Sequence, residues 1–400
     1  MINKKKILII SAVFPPEPVF SADLSRDLAE RLSKENEVTV LCPKPTRPHG
    51  FKMSNDFSPE NYSVFHLNSF NYSPSKIIGR LFESYSFGKH CQKYIKNNFK
   101  NIDIVYANTF PLLAQYYTVR IAKKFNIPVI IHVMDVYPES LSNKFPIFSS
   151  LINRILLPVD KFVLKNATKV VAISNRTKKY LIKTRKILDN KIIVVLNYQD
   201  ETKFTEYKLS NKPNNIINDP FTYMYLGNIG PVSGLDLLLQ AFAKTHLNNI
   251  RLVIAGSGSM KEALKRKAYE LKLNVIIEFW DVAEGKVPEI QNQADVMLLP
   301  IKKGAAFSSV PSKLPAYMFS EKPIIACVDA GSDTELAIKS SNCGWVIPSE
   351  DVESLTMKIN EISKISNTEL CKKGKNGFEY ALKNFSKNNN LKQLVKTILE

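Results

Sequence analysis

No stretch of the 400 residues reaches the ~18 consecutive apolar side chains that a bilayer-crossing helix needs, so no transmembrane helix is expected. Cysteine is sparse. Cys42, Cys91, Cys327, Cys343 and Cys371 are odd in number, scattered and without a C-x-x-C pair. That argues against a disulfide framework and a zinc site, and for a reducing, cytoplasmic compartment. The chain lacks any Asp-x-Asp pair, so a carboxylate-held divalent ion bridging a diphosphate is not indicated, and no metal or other cofactor is expected. It has no G-x-x-x-x-G-K-[ST] loop, no G-x-G-x-x-G after the first strand, no H-x-x-x-H and no G-x-S-x-G. P-loop hydrolysis, hydride transfer and serine hydrolysis therefore lose their usual signatures. The N-terminal Lys4–Lys6 cluster and the apolar run Ile7–Val13 resemble a secretory signal only superficially. No small-residue cleavage site follows, and the run leads into Pro15-Pro16, as a buried first strand would.

Acidic residues are also scarce, but only in one half. Residues 1–200 hold 30 basic and 15 acidic side chains, against 25 and 22 in residues 201–400, so nearly all of the net +18 lies in the first half. Such a surface suits an anionic membrane leaflet or nucleic acid, or is simply solvated. Basicity is the only support for nucleic acid, because no recognition motif accompanies it.

Apolar periodicity predicts an α/β chain. Strands are expected at Lys6–Ala12, Glu37–Cys42, Tyr62–Asn68, Ile104–Ala107, Val129–Met134, Lys169–Ile173 and Lys191–Leu196, with helices between them, including Ser21–Lys34, Lys76–Phe99 and Leu112–Phe125. The pattern restarts at Tyr223–Leu226 and runs through strands at Arg251–Ala255, Val275–Phe279, Val296–Pro300, Pro323–Cys327 and Gly344–Ile347. Strands alternating with helices imply βαβ units and parallel sheets, hence two doubly wound domains. The polar stretch Asp200–Asp219 reads as the linker between them.

In open α/β sheets ligands bind beyond the carboxyl ends of the strands. Four loops there attract attention. Phe14–Ser21 carries Glu17 and ends on Ser21, which either caps the next helix or faces a ligand. Gly227-Asn228-Ile229-Gly230 and Gly256-Ser257-Gly258 permit close backbone approach to a ligand, or serve as tight turns. Ser308-Ser309-Val310-Pro311-Ser312-Lys313-Leu314 unites hydroxyls, helix-start N–H groups and one lysine. That set suits a pyrophosphate, and otherwise is a solvated helix start. Asp135 and Glu139 follow a strand, where carboxylates can bond sugar hydroxyls, move protons or cap the next helix. His132, inside an apolar run, reads as a core residue.

With these segments in hand, the chain resembles the GT4-type retaining glycosyltransferases of GT-B fold. The likeness runs through FPPE…SADLSRDLAERL, DVYPESL, VVAISNRTKKYL, VVLNYQDE, YLGNIGPVSGLDLLLQAF, LVIAGSGS, ADVMLLP and VPSKLPAYMFSEKPIIA. Within the family it looks nearest the capsule, O-antigen and colanic-acid branch that includes fucosamine transferases. The resemblance implies two Rossmann-like domains facing across a cleft: residues 1–200 on the acceptor and membrane side, 201–385 binding the sugar nucleotide, and a helix over 386–400 returning to the first domain. It implies a UDP-sugar donor and hexosyl or N-acetylhexosaminyl transfer. The acceptor would be lipid-linked or saccharide, in the synthesis of bacterial surface polysaccharide. Gly227, Asn228, Gly230, Gly256, Ser309, Pro311, Ser312, Lys313 and Leu314 would hold the nucleotide sugar, with Val282 near the base. Lys313 would neutralise the leaving group, while Asp135, Glu139, Glu17 and Ser21 would face the sugar and acceptor. Three positions depart from the family pattern. Its paired glutamates fall at Ser308 and Ala316, its Arg and Lys at Asn228 and Ser233, and its histidine at Met134.

An acceptor at the inner face of the membrane would give the basic half a use. The segment 76–100 combines Ile77, Ile78, Leu81, Phe82, Tyr85 and Phe87 with Arg80, Lys89, Lys93, Lys96 and Lys100, and is expected either to lie on anionic lipid as a peripheral element or to pack on the sheet. Two other readings share the fold: a UDP-sugar 2-epimerase, and a non-catalytic partner subunit.

Overall fold

The computed structural model of the chain describes residues 4–17, 20–45, 57–70, 77–108, 112–143, 145–211, 219–271, 276–304 and 310–400. It divides into two compact units, Met1–Leu196 with Leu391–Glu400, and Asn197–Asn390.

The first unit opens with β1 (Lys6–Ile10), α1 (Phe20–Ser33), β2 (Glu37–Pro43) and β3 (Ser63–Leu67). It continues with α2 (Ile77–Asn98), β4 (Ile104–Asn108), α3 (Leu112–Lys124), β5 (Val129–Val133) and the short α4 (Glu139–Ser142). Then come α5 (Ser149–Asn166), β6 (Lys169–Ala172), α6 (Asn175–Arg185) and β7 (Ile192–Val194). All seven strands are parallel, in the order β3-β2-β1-β4-β5-β6-β7. Every residue of β4 and β5 is buried, as a strand covered by helices on both sheet faces must be.

The second unit contains α7 (Thr202–Ser210), β8 (Phe221–Leu226), α8 (Leu235–Lys244), β9 (Ile250–Ala255), α9 (Lys261–Glu270) and β10 (Ile276–Trp280). These are followed by α10 (Val287–Asn292), β11 (Val296–Pro300), α11 (Lys313–Phe319), β12 (Ile324–Val328), α12 (Asp333–Ser341) and β13 (Gly344–Pro348). Helices α13 (Val352–Ile362) and α14 (Asn367–Asn384) complete it. Its parallel sheet has the order β10-β9-β8-β11-β12-β13. The last helix, α15 (Lys387–Leu399), belongs to the first unit from Leu391 onward, where Lys169 Nζ donates to the Thr397 carbonyl at 3.2 Å.

The two α/β Rossmann-like units match the fold read from periodicity, with two additions. The segment expected to be a plain linker contains α7. Its Phe204 is buried against Phe319, ring centroids 5.9 Å apart, so one aromatic anchor overrides a polar composition. Helix α6 is mostly polar, so periodicity gave no bounds for it. It is set instead by its ends: the Ser174 hydroxyl accepts from the Thr177 N–H at its start, and Lys186 takes a left-handed conformation (φ 57°) at its finish.

Helix α2 divides its apolar residues. Phe87, Cys91 and Ile95 are fully buried in the core, and α2 packs along α3, whereas Phe82, Tyr85, Lys89, Lys93 and Lys96, and Lys100 in the turn that follows, are exposed. Among the described residues no helix is long and apolar enough to cross a membrane.

Candidate functional site

Each sheet reverses its strand order beside its first strand, β1 against β4 and β8 against β11, and such switch points open a crevice at the strand ends. In the second unit the loops after β8 and β9 lie against each other there. The Gly227 N–H donates to the Ala255 carbonyl at 3.0 Å, Ile229 N–H to Ser257 at 2.8 Å and Met260 N–H to Ile229 at 3.0 Å. A Cβ on Gly256 (φ +126°) would stand 2.1 Å from the Gly227 carbonyl oxygen. Only glycine permits that approach.

Lys313 opens α11 and sends its stem across the first of these loops. A Cβ on Gly227 would lie 2.2 Å from Lys313 Cε, and the ammonium sits 5.4 Å from the centroid of the Tyr225 ring. Burial pulls the pKa of this half-buried lysine below the ordinary value. Among the described residues no carboxylate pairs with it. A desolvated cation without a counter-ion is a place where an anion gains more than it would in water.

Three hydroxyls fasten the loop. Tyr317, one turn beyond Lys313, accepts from the Leu226 N–H at 2.9 Å and donates to the Leu226 carbonyl at 2.8 Å. Tyr225 donates to the Asn228 carbonyl at 2.6 Å, and Ser233 to the Gly230 carbonyl at 2.6 Å. Asn228 itself is exposed and Gly230 buried. Val282 is half-buried in the loop after β10, held to the same end because the Gly256 N–H donates to the Trp280 carbonyl at 2.9 Å. Lys261 reinforces the link, donating to the Gly256 carbonyl at 3.0 Å and to Asp281 at 2.6 Å.

The expected row of free helix-start N–H groups is only partly realised. The Leu314 N–H is already bonded to the Pro311 carbonyl at 3.0 Å, and Leu314 is buried. Ser312 is exposed with helical angles and makes no side-chain cap bond, and Pro311 is half-buried. Ser309 and Ser308 lie outside the described residues.

In the first unit Asp135 is exposed just past β5. Glu139 is not available in the same way. Arg185, 1% exposed, grips both of its oxygens at 2.8 and 2.6 Å and also bonds Asp160 at 2.6 Å and the Tyr137 carbonyl at 2.6 Å. The Tyr180 hydroxyl adds a bond to Glu139 at 2.7 Å. Although burial opposes it, these bonds hold Glu139 below the usual carboxylate range, while burial pushes Asp160 up to about 6 against the pull of Arg185. A carboxylate so engaged suits fixing the 134–139 loop better than exchanging a proton.

Ser21 lies inside the first turn of α1 rather than ahead of it, so it is not the cap expected from sequence. Its carbonyl accepts from Ser25 Oγ at 2.9 Å. Glu17 is buried in the loop before α1. At the β1/β4 switch point Asn108 Nδ2 donates to Ser25 Oγ at 2.7 Å and to Ser11 Oγ at 3.2 Å, a cluster that sequence reading did not single out. His132 is a core residue, its Nδ1 2.7 Å from the Tyr106 hydroxyl, and burial lowers its pKa to about 4.

Comparison with known proteins follows the same division. Residues 24–202 match the family described as Glycosyltransferase Family 4, and residues 207–393 match Glycosyl transferases group 1. The chain is a GT4-type glycosyltransferase of GT-B fold. A curated relative, "Probable glycosyltransferase WbjE" of Pseudomonas aeruginosa, is 23% identical over 309 residues, 74% of each chain. The Anabaena protein HepE, solved with UDP and with UDP-glucose, superposes on the transferase with a TM-score of 0.69 in the UDP complex, at 15% identity and over 98% of this chain and 99% of that one. Sucrose-phosphate synthase from Thermosynechococcus elongatus superposes with a TM-score of 0.73 at 16% identity, covering 98% of both chains.

The transferase's departures from the family pattern can now be placed. Ser233 turns inward onto Gly230, and Ala316 is buried within α11, so neither position offers a charge. Tyr225 and Tyr317 were missed in the sequence. Their only signal was an aromatic four residues beyond Lys313, on the same helix face, and another just before the glycine loop.

Proposed function

We propose that this glycosyltransferase moves a hexosyl or N-acetylhexosaminyl group from a UDP-sugar to a lipid-linked or saccharide acceptor in surface-polysaccharide synthesis, with retention of configuration. The reading rests on one observation: the half-buried Lys313 ammonium, unpaired among the described residues, stands over the glycine loops at the switch point of the second unit. The UDP carried by the Anabaena fold-mate supports the choice of nucleotide. No metal is assigned a role.

In this mechanism the bond between the sugar C1 and the diphosphate oxygen breaks, and its electron pair stays on the diphosphate. The acceptor hydroxyl oxygen bonds C1 on the same face, and its proton passes to the departing diphosphate oxygen. Lys313 lowers the barrier by meeting charge as it develops, a contribution of about 3–4 kcal/mol, roughly 10²–10³ in rate. Backbone at Gly227, Asn228, Gly230 and Gly256 cradles the donor, Val282 borders the base, and Pro311, Ser312 and Leu314 carry the lysine. Asp135 bonds sugar hydroxyls, Glu17 and Ser21 shape the acceptor loop, and Glu139 positions the Asp135 loop through Arg185. The exposed lysines of α2 draw the enzyme to an anionic leaflet, each contributing about 1 kcal/mol near the surface.

Thermal shift with UDP, GDP and dTDP tests the donor, since a real ligand stabilises by mass action. Proton NMR of a UDP-sugar with a polyprenyl-diphosphate saccharide then tests the reaction. A new α-linked product from an α-donor supports the reading. Sugar isomerised without acceptor would replace it with an epimerase.

A further inference from the structure

Helix α5 is apolar on two sides. Its inner side, Leu156, Val163 and Leu164, is buried in the core of the first unit. Its outer side and the turn before it expose Ile147 (91%), Phe148 (59%), Leu151 (57%) and Ile155 (59%). The spacing of 147, 151 and 155 places one apolar residue per turn along a single strip. Side chains of this size left open to water one after another mark a surface that something else covers.

Charge identifies the cover. From Ser140 to Leu188 the chain carries eleven Lys and Arg side chains and a single carboxylate, Asp160, which is buried and paired with Arg185. Arg154 and Lys165 are exposed on α5, and Lys179 and Lys183 on α6, the helix that packs beside it. The outer surface of this segment is therefore apolar and mainly cationic; the carboxylates that flank it are already paired, Glu139 with Arg185 at 2.6 Å and Asp189 with Lys178 at 3.1 Å. Two copies meeting through the same strip would bring like charges together, which disfavours a symmetric dimer. An anionic phospholipid leaflet satisfies both features, taking the apolar side chains into its acyl boundary and the cations at its headgroups.

We propose that the strip Ile147–Phe148–Leu151–Ile155 inserts into an anionic bilayer and is the apolar anchor of this protein, separate from the lysines of α2. The proposal deepens the reading of a lipid-borne acceptor and rests on it. The insertion itself is measured without any substrate.

The experiment is flotation of the full-length protein with phosphatidylcholine vesicles, with or without phosphatidylglycerol. It compares wild type with the quadruple variant Ile147→Ser, Phe148→Ser, Leu151→Ser, Ile155→Ser, and with Lys179→Glu, Lys183→Glu. Because these side chains are exposed, both variants are expected to keep wild-type thermal stability and the wild-type shift with UDP. The expected result is binding to anionic vesicles that falls about tenfold or more in the serine variant and weakens in the charge-reversed one. Equal vesicle binding by wild type and serine variant overturns the proposal, as does absence of wild-type binding. A wild-type dimer that becomes monomeric on serine substitution overturns it too, by making the strip an interface between copies. Failure in flotation with an intact UDP shift removes the anchor and leaves the transferase reading standing. Loss of the UDP shift in wild type strikes that reading instead.

Discussion

The stem of Lys313 occupies the space that a side chain on Gly227 would fill, with Cε 2.2 Å from the place of the missing Cβ. The glycine lets the loop turn at φ +154°, and it also gives the lysine a path over the backbone toward the strand ends. Gly227→Ala is therefore expected to displace the ammonium, weakening UDP binding about tenfold or more while stability changes by about 1 kcal/mol. Calorimetric titration with UDP, beside a melting curve, separates the two effects. Unchanged affinity would show that the lysine does not depend on this passage.

Removing the charge goes further. Lys313→Ala should lower turnover by roughly 10²–10³, and Lys313→Arg should recover only part of it, because a planar guanidinium does not fit the path of a slim stem. Steady-state kinetics on both variants checks this. Wild-type turnover in the alanine variant would leave the proposed mechanism without its cation.

Burial lowers the Lys313 pKa, which fixes the sign of a pH effect. As pH rises the ammonium loses its proton before an ordinary lysine would, at about 10.4, and its attraction for a diphosphate goes with it. UDP affinity should therefore decline on the alkaline side below that value. In Lys313→Arg the decline should vanish, since guanidinium stays charged throughout the range. A dissociation constant measured across neutral to alkaline pH provides the profile.

Arg185 fastens Glu139, Asp160 and the Tyr137 carbonyl from one buried position. Arg185→Ala leaves Asp160 buried without its partner, and a loss of about 3–5 kcal/mol of stability is expected. For a unit of this size each kcal/mol corresponds to roughly 2–4 °C in Tm. If the residue also positions the Asp135 loop, turnover measured well below the lowered Tm should fall with little change in UDP affinity. A Tm within a degree or so of wild type would contradict the buried-clamp account.

Treatment with EDTA should leave turnover in place, because the proposed leaving-group stabilisation uses an ammonium and backbone N–H groups. A tenfold or greater loss restored by magnesium or manganese would assign that task to a metal instead.

Much of the architecture was legible in the residues themselves. Runs such as Val129–Val133 and Val296–Pro300, each followed by a helical pattern, specify parallel strands buried on both faces, because burial on both faces is recorded directly in composition. The glycines of the 227–230 and 256–258 loops, and the lone lysine at 313, were visible for the same local reason. What the sequence alone could not decide depends on partners far along the chain. Phe204 makes a helix of a polar segment by meeting Phe319, Arg185 holds both oxygens of Glu139 by reaching back 46 residues, and Tyr317 ties α11 to Leu226 across 91. Periodicity reports which face a residue buries, not what it meets there, so the partners of such groups were decided only when folding brought them into contact.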